Sequence, residues 1–366
     1  MKKLFFSFLI LSLLLAACQS AAPAATNTPL ATAPAPTKTP PAAPRTLTVM
    51  THDSFAASER LLRTFEQQYN VKVQILTSGD AGSALNKAIL AKGNPLADVF
   101  YGVDNTFLSR ALKEDIFEPY ASPALAGIPA EFQLDAQQRA LPIDYGDVCL
   151  NYDKAFFAAQ SPSLPPPQSL EDLLKPEYKG LLVVENPATS SPGLAFLLAT
   201  IGHFGEDGYL DFWKGLRAND VKVADGWETA YYTEFTRAGG TRPIVVSYNS
   251  SPAFEVIFAE KPLDEPPTAA LLADETCFRQ IEFAGILKGS KNRDLGEKWI
   301  DFMLSAAFQQ ELPLQMFVFP VNPEAKLGGK LSQYVGFPNK TANVSPDAID
   351  ARREQWLSAW SETVLK

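Results

Sequence analysis

Histidine, cysteine and positive charge are all in short supply here. Two histidines in 366 residues, His52 and His203, are too few for a histidine-based catalytic triad or a zinc centre. Lysine and arginine number 32 against 41 aspartates and glutamates, a formal charge of −9. That balance argues against nucleic acid and polybasic membrane contact, and mildly favours a cationic small ligand. Beyond the first residues, no apolar run is long enough to span a bilayer. Three cysteines allow at most one intramolecular bridge and a single remaining thiol.

The N-terminus is organised differently from the rest. Lys2 and Lys3 precede Leu4–Leu15, which is apolar apart from Ser7 and Ser12. The run is too short for a permanent span and reads as a signal peptide covering residues 1–17. It ends in Leu15-Ala16-Ala17-Cys18, which resembles the lipobox of bacterial lipoproteins. In that chemistry the Cys18 thiol takes a diacylglycerol and becomes the first residue after cleavage. Removing Lys2 and Lys3 takes the formal charge from −9 to −11. Residues 18–45 hold seven prolines and are otherwise mostly Ala and Thr. Such a stretch cannot bury a core and serves as an extended tether.

From residue 46 strands and helices alternate. Leu47–Met50, Val71–Leu76 and Ala97–Tyr101 read as strands. Glu59–Tyr69, Ser83–Lys92 (capped by Ser83) and Asn105–Lys113 read as helices. A second series begins after the proline-rich Ser161–Pro167 connection. Its expected strands are Gly180–Val184, Val221–Ala224 and Ile244–Tyr248. Its expected helices are Leu170–Leu174, Gly193–Ile201, Tyr209–Ala218, Glu228–Ala238 and Ala253–Ala259. Strand Phe278–Leu287 and helix Asp294–Ser305 return to the first unit. The pattern implies two doubly wound α/β lobes with parallel sheets, joined by crossovers that act as hinges near Asp144–Gly146. The expected partition is residues 46–143 plus 276–322 for lobe I and 144–275 for lobe II. Residues 323–366 form a helical segment of unassigned lobe. Cys149 and Cys277 lie in strand-like runs, and their spacing leaves both a disulfide and two buried thiols open.

Ligands of parallel sheets bind beyond the carboxyl ends of strands, so the loops after strands carry the functional reading. Two of them match: Ser190-Ser191-Pro192 after Gly180–Val184, and Ser250-Ser251-Pro252 after Ile244–Tyr248. Serine suits an N-cap and proline the first helical turn, and helix N-termini can hold an anion such as phosphate. Ser345-Pro346 shows that the same pair also marks an ordinary helix start. Trp227, Tyr248, Phe254 and the Phe317-Val318-Phe319-Pro320 turn add aromatic faces on which a flat cationic heterocycle could stack. Carboxylates recur at strand ends as Asp53, Asp80, Asp104, Asp144 and Asp147. For the first three, helix capping is the commoner role.

Taken in order, these segments resemble the thiamine-binding proteins of ABC importers, within the type II solute-binding superfamily. The likeness runs through Thr51-His52-Asp53-Ser54-Phe55, Gly102-Val103-Asp104-Asn105 and Asp144-Tyr145-Gly146. It continues through Thr189-Ser190-Ser191-Pro192-Gly193, Gly226-Trp227-Glu228-Thr229-Ala230 and Ser247–Ala253, and covers nearly all of residues 46–366.

The resemblance implies a monomeric, extracytoplasmic, lipid-anchored binding protein. It would catalyse nothing, use no cofactor or metal, and pass thiamine or its mono- or diphosphate to an ABC permease. Carried over by position, ligand contacts would come from Asp80, Ala81, Ser190, Ser191, Trp227, Tyr248, Asn249, Ser250, Ser251 and Pro252. His52, Asp53, Phe254 and Phe317 would be secondary contacts. The sequence departs from the family pattern at three of these. His52 and Phe254 each stand where a tyrosine is usual, and Phe317 where tryptophan is usual. Competing readings are a binder of ferric iron, an oxyanion or a polyamine, and a thiaminase-like enzyme with Cys149 as nucleophile near Asp147.

Overall fold

A computed structural model describes residues 43–160 and 163–366. The expectations for Cys18, the signal peptide and nearly all of the tether therefore fall outside the described residues. The first parallel block is β1 (Arg45–Thr51), β2 (Val71–Thr77) and β3 (Val99–Asp104). Short β4 (Phe117–Glu118) precedes β5, a 13-residue strand from Leu141 to Asp153. The second parallel block is β6 (Leu182–Glu185), β7 (Lys222–Ala224) and β8 (Ile244–Tyr248). After β9 (Thr268–Ala270), β10 (Phe278–Leu287) returns, and β11 (Phe319–Pro320) closes the set.

The strand order is β2-β1-β3-β10-β5-β8-β6-β7. β1 pairs in parallel with β2 and β3, and β6 in parallel with β7 and β8. The two long strands between the blocks pair antiparallel with each other and with their neighbours. This is the two-lobed type II α/β arrangement, with β5 and β10 as shared crossovers. The N-terminal half of β5 pairs with β10 alongside the first block, and its C-terminal half pairs with β8. All of β3 is buried, and β10 is buried apart from Arg279, as expected of strands covered on both faces. The register of β10 shifts between Glu282 and Phe283 against β5, and between Phe283 and Ala284 against β3. Such bulges re-aim side chains, and the one against β5 sets Glu282 opposite Asp144.

Cys149 and Cys277 form a disulfide that ties β5 to the start of β10. Both residues are completely buried.

Three local expectations are corrected. The helix expected from Ser83 is Ala81–Leu90, and Asp80 caps it through its carboxylate. The helix expected over Glu228–Ala238 is only a turn, Trp227–Thr229, followed by a wider turn to Glu234. Phe235 leaves it to bridge Arg242, and two adjacent tyrosines at 231 and 232 give helix propensity little force there. Helices 193–201 and 209–218 run into each other as Ser191–Ala218, with a break at Gly205, where φ is 71°.

The C-terminal helix, Pro346–Val364, belongs to neither half alone. Trp360 packs edge-on to Trp213 at 5.5 Å. On the other side Lys113 pairs with Asp350, and Arg353 lies over the Phe107 ring.

Candidate functional site

The carboxyl ends of the two parallel blocks face one cleft. β1 delivers His52 and Ser54, and β2 delivers Asp80. β6 leads to Ser191 and Pro192, β7 to Trp227, and β8 ends in Tyr248. Together with Glu282, Met316 and Val318 they line a cavity of about 30 Å³.

Asp80 ties the two halves together. One carboxylate oxygen accepts the N–H of Ala81 (2.6 Å) and of Ser191 (3.2 Å), and the other accepts that of Trp227 (3.1 Å). Burial raises the Asp80 pKa, with the hydrogen bonds from Trp227, Ser190 and Ala81 working against that rise. Glycines allow the approach. A Cβ on Gly226 would lie 2.9 Å from the Asp80 carboxylate. One on Gly82 would lie 2.9 Å from the carbonyl oxygens of Ala188 and Thr189.

Aromatic side chains form the opposite wall. The Trp227 ring stacks on Tyr231 (centroids 5.1 Å apart, 22° between planes), and its N–H donates to Ser247 Oγ at 2.9 Å. Tyr248 stands edge-on to it at 6.3 Å. The Tyr248 ring fits against bare backbone, since a Cβ on Gly146 would fall 2.8 Å from the ring. Phe317 stacks on Phe254 at 4.4 Å and reaches the edge of Trp227 at 6.3 Å. Its φ is 64°, a costly left-handed conformation for a bulky residue. Its carbonyl is held by the Ser250 hydroxyl.

Beneath the cleft lies a buried acid cluster. Tyr101 donates to Asp144 (2.6 Å) and also lies 3.0 Å from Glu282. His52 Nε2 stands 3.4 Å from Glu282. Burial, and then the neighbouring Glu282 charge, pushes Asp144 well above the usual carboxylate range. Burial acts on Glu282 in the same direction, but His52, together with the hydrogen bonds to Asp144 and Tyr101, outweighs it and holds Glu282 low. His52 itself is raised: burial lowers it, and Glu282 more than reverses that. Burial also pushes Asp104 up to about 7. Glu185 is fully buried with neither carboxylate oxygen hydrogen-bonded, and burial, then Asp80, raises it well above normal.

Of the residues singled out from the sequence, His52, Asp80, Ser191, Trp227 and Tyr248 meet on the cavity wall. Phe254 and Phe317 form a cluster beside it. The serine hydroxyls face inward to the protein. Ser190 accepts from Gly193 N–H, and Ser251 bonds Ser247 at 2.9 Å. Asn249 pairs with the Asp147 backbone and with the Gly336 carbonyl. Pro252 is buried in the first turn of Ser251–Ile257, and Asp53 is exposed. Sequence reasoning missed Glu282, although a lone carboxylate inside the apolar run Phe278–Leu287 was a signal. Met316 and Val318 carried no such signal.

A family model for bacterial extracellular solute-binding proteins matches residues 94–339. The chain belongs to that family. Among its relatives is the thiamine-binding periplasmic protein of Salmonella typhimurium, 32% identical over 326 residues, covering 87% of this chain and 94% of the relative. The Escherichia coli protein of the same description is 31% identical over 327 residues, with 87% and 94% covered. A solved periplasmic thiamin binding protein superposes with a TM-score of 0.77 at 29% identity, covering 88% of this chain and 96% of that one. Family membership makes this an exported solute-binding protein. Among the described residues no helix is long and apolar enough to cross a membrane.

Proposed function

We propose that this protein captures thiamine, as the free cation or a phosphate ester, and hands it to an ABC permease. The observation that carries the reading is a cleft walled by Trp227 and Tyr248 and floored by carboxylates, with His52 as the one basic side chain on its lining. Such a site suits a flat heterocycle bearing one positive charge. The thiamine-binding relatives support the same ligand. A cavity near 30 Å³ is far below the roughly 300 Å³ or more that a ligand of this size needs. Entry therefore requires the lobes to part, and β5 and β10 are the strands about which we expect them to turn. The lobe partition at residues 144 and 276 rests on the same argument.

The protein acts as a binder, not an enzyme. The thiol that a thiaminase-like reaction would use, Cys149, is committed to a disulfide, and a nucleophile must be a free thiolate. We propose further that Cys18 carries a lipid anchor and that the protein works as a monomer on its tether. Cys18→Ala should move the protein from the membrane fraction to the soluble one, and unchanged partitioning would refute the anchor.

The test of the main reading is isothermal titration of ligand-stripped protein with thiamine, alongside native mass spectrometry of the protein as purified. One-to-one thiamine binding is expected. A folded protein that shows no heat and carries no thiamine-type mass would overturn the proposal.

A further inference from the structure

Among the described residues that line the cleft, His52 is the one side chain that can carry positive charge. Its ring lies against bare backbone. Gly102 has φ 104°, and a Cβ there would fall 2.3 Å from the imidazole, so only glycine leaves this seat open. The ring stands 5.4 Å from that of Tyr101, tilted by 45°, and Nε2 lies 3.4 Å from Glu282 Oε1. Acids surround the pair from every neighbouring element. Asp53 and Asp80 act on His52 from the loops after β1 and β2, and Glu228 feels it from the turn after β7. Tyr101 on β3 and Asp144 on β5 hydrogen-bond Glu282. Asp104, at the end of β3, feels the Glu282 charge, and Tyr248 lies across the cavity.

We infer that His52 is a proton switch for ligand capture: a bound cation replaces the His52 proton beside Glu282, so binding expels that proton to solvent and tightens as the pH rises. The inference rests on the thiamine reading above and adds a means of regulation to the same site. In the ligand-free cleft, protonated His52 and ionised Glu282 make a neutral pair. Burial works against the imidazolium, but Glu282, then Asp80 and Asp53, more than offset it. The protonated form therefore persists to higher pH than in an ordinary histidine. A cation lodged against Trp227 and Tyr248 shares this small cavity with the imidazolium, and like charges within roughly 4–6 Å disfavour each other. The imidazole can shed its charge, whereas the quaternary nitrogen of thiamine cannot. The ligand then supplies the positive charge that Glu282 loses, and the balance of the pair is kept. By linkage, a ligand that displaces a proton binds most weakly where the proton is held firmly. Affinity is lowest below the His52 pKa of the complex and rises until the pH passes the His52 pKa of the free protein.

The chain has two histidines, so NMR of histidine-labelled protein follows each imidazole separately, and His203→Gln assigns them. Saturating thiamine should move the His52 titration down by at least about one pH unit and leave that of His203 in place. Calorimetry near pH 7 in buffers of different ionisation enthalpy should show release of up to about one proton per thiamine. Affinity should rise by up to about tenfold per pH unit between about pH 6 and about pH 8. His52→Gln keeps a donor for Glu282 but does not titrate. In that variant the proton release should vanish and affinity should be flat over the same range, with thermal melts checking the fold. A His52 titration unmoved by bound thiamine overturns the inference and leaves the proposed function standing. Proton release undiminished in His52→Gln does the same, and assigns the proton to a neighbouring acid. A wild type that binds no thiamine removes this inference together with the proposed function.

Discussion

Gly82 is the position where closure can be tested with a single methyl group. It sits in the first turn of Ala81–Leu90, pressed against the loop that precedes Ser191. A Cβ there would lie 2.9 Å from the carbonyl oxygens of Ala188 and Thr189 and 2.9 Å from the tip of the Phe107 ring. Real Cβ atoms essentially never approach that closely. The same turn donates Ser83 N–H to the Thr189 carbonyl at 3.3 Å. Gly82→Ala must therefore push the lobes apart by several tenths of an ångström and weaken the Asp80 bridge beside it. Overpacking of this kind costs about 1–3 kcal/mol, or roughly 5- to 150-fold in affinity. Two of the three clashes are with main chain on the facing lobe, so an open molecule escapes them. Only the Phe107 contact persists, at a ring tip that can shift. Ligand-free stability should thus change little, while thiamine affinity falls. Calorimetry with thiamine and thermal melts with and without ligand measure the two effects. Undiminished affinity would refute the closure argument. A ligand-free melting temperature that dropped as much as the bound one would place the damage inside a lobe.

Trp227→Ala should weaken thiamine by roughly 1–2 kcal/mol for the lost ring contact, while Trp227→Phe should recover part of it; equal affinity in calorimetry would remove Trp227 from the site. Breaking the Cys149–Cys277 bridge, which spans 128 residues, with a double serine variant should cost about 2–5 kcal/mol in urea melts; an unchanged midpoint would mean the thiols are not paired in solution. Asp104 favours its protonated form in the folded state, with its pKa pushed up to about 7 by burial against about 3.9 when unfolded. Its cost to stability is therefore absent below pH 4 and grows until pH 7. Asp104→Asn should stabilise the protein at pH 8 and change little at pH 4; melts showing equal effects at both would refute the assignment.

The long periodic elements were legible in the sequence because local pattern and tertiary burial agree there. Glu59–Tyr69, Ile244–Tyr248 and Phe278–Leu287 have the expected limits. The continuity of β5 was not legible. Asp144, Gly146 and Asp147 look like a turn, and only pairing with β10 on one side and β8 on the other makes them strand. The start of Ala81–Leu90 is legible only in part, because capping by Asp80 and by Ser83 both fit the sequence and the structure takes Asp80. Ser83 is a good N-cap by local chemistry, but Asp80 also reaches Ser191 and Trp227, partners more than a hundred positions away. At the site, the aromatic wall followed from strand-end loops alone. The acid floor did not, because the bulge beside Glu282 that sets it opposite Asp144 has no signature in sequence.

The acid cluster raises a question that its charge state answers. Four buried carboxylates near one cleft, Asp104, Asp144, Glu185 and Glu282, with the half-buried Asp80 beside them, would be prohibitive if all were ionised. Burial instead pushes Asp144 and Glu185 well above the usual carboxylate range and Asp104 up to about 7. Glu282 keeps its charge because His52 stands beside it, and that pair is balanced within itself. Burial raises Asp80 too, while its three N–H donors favour the ionised form. The cleft lining is thus acidic, with Asp80 at the bridge between the lobes. A cation of the right shape is drawn to that lining, and it meets the aromatic wall of Trp227 and Tyr248 beside it.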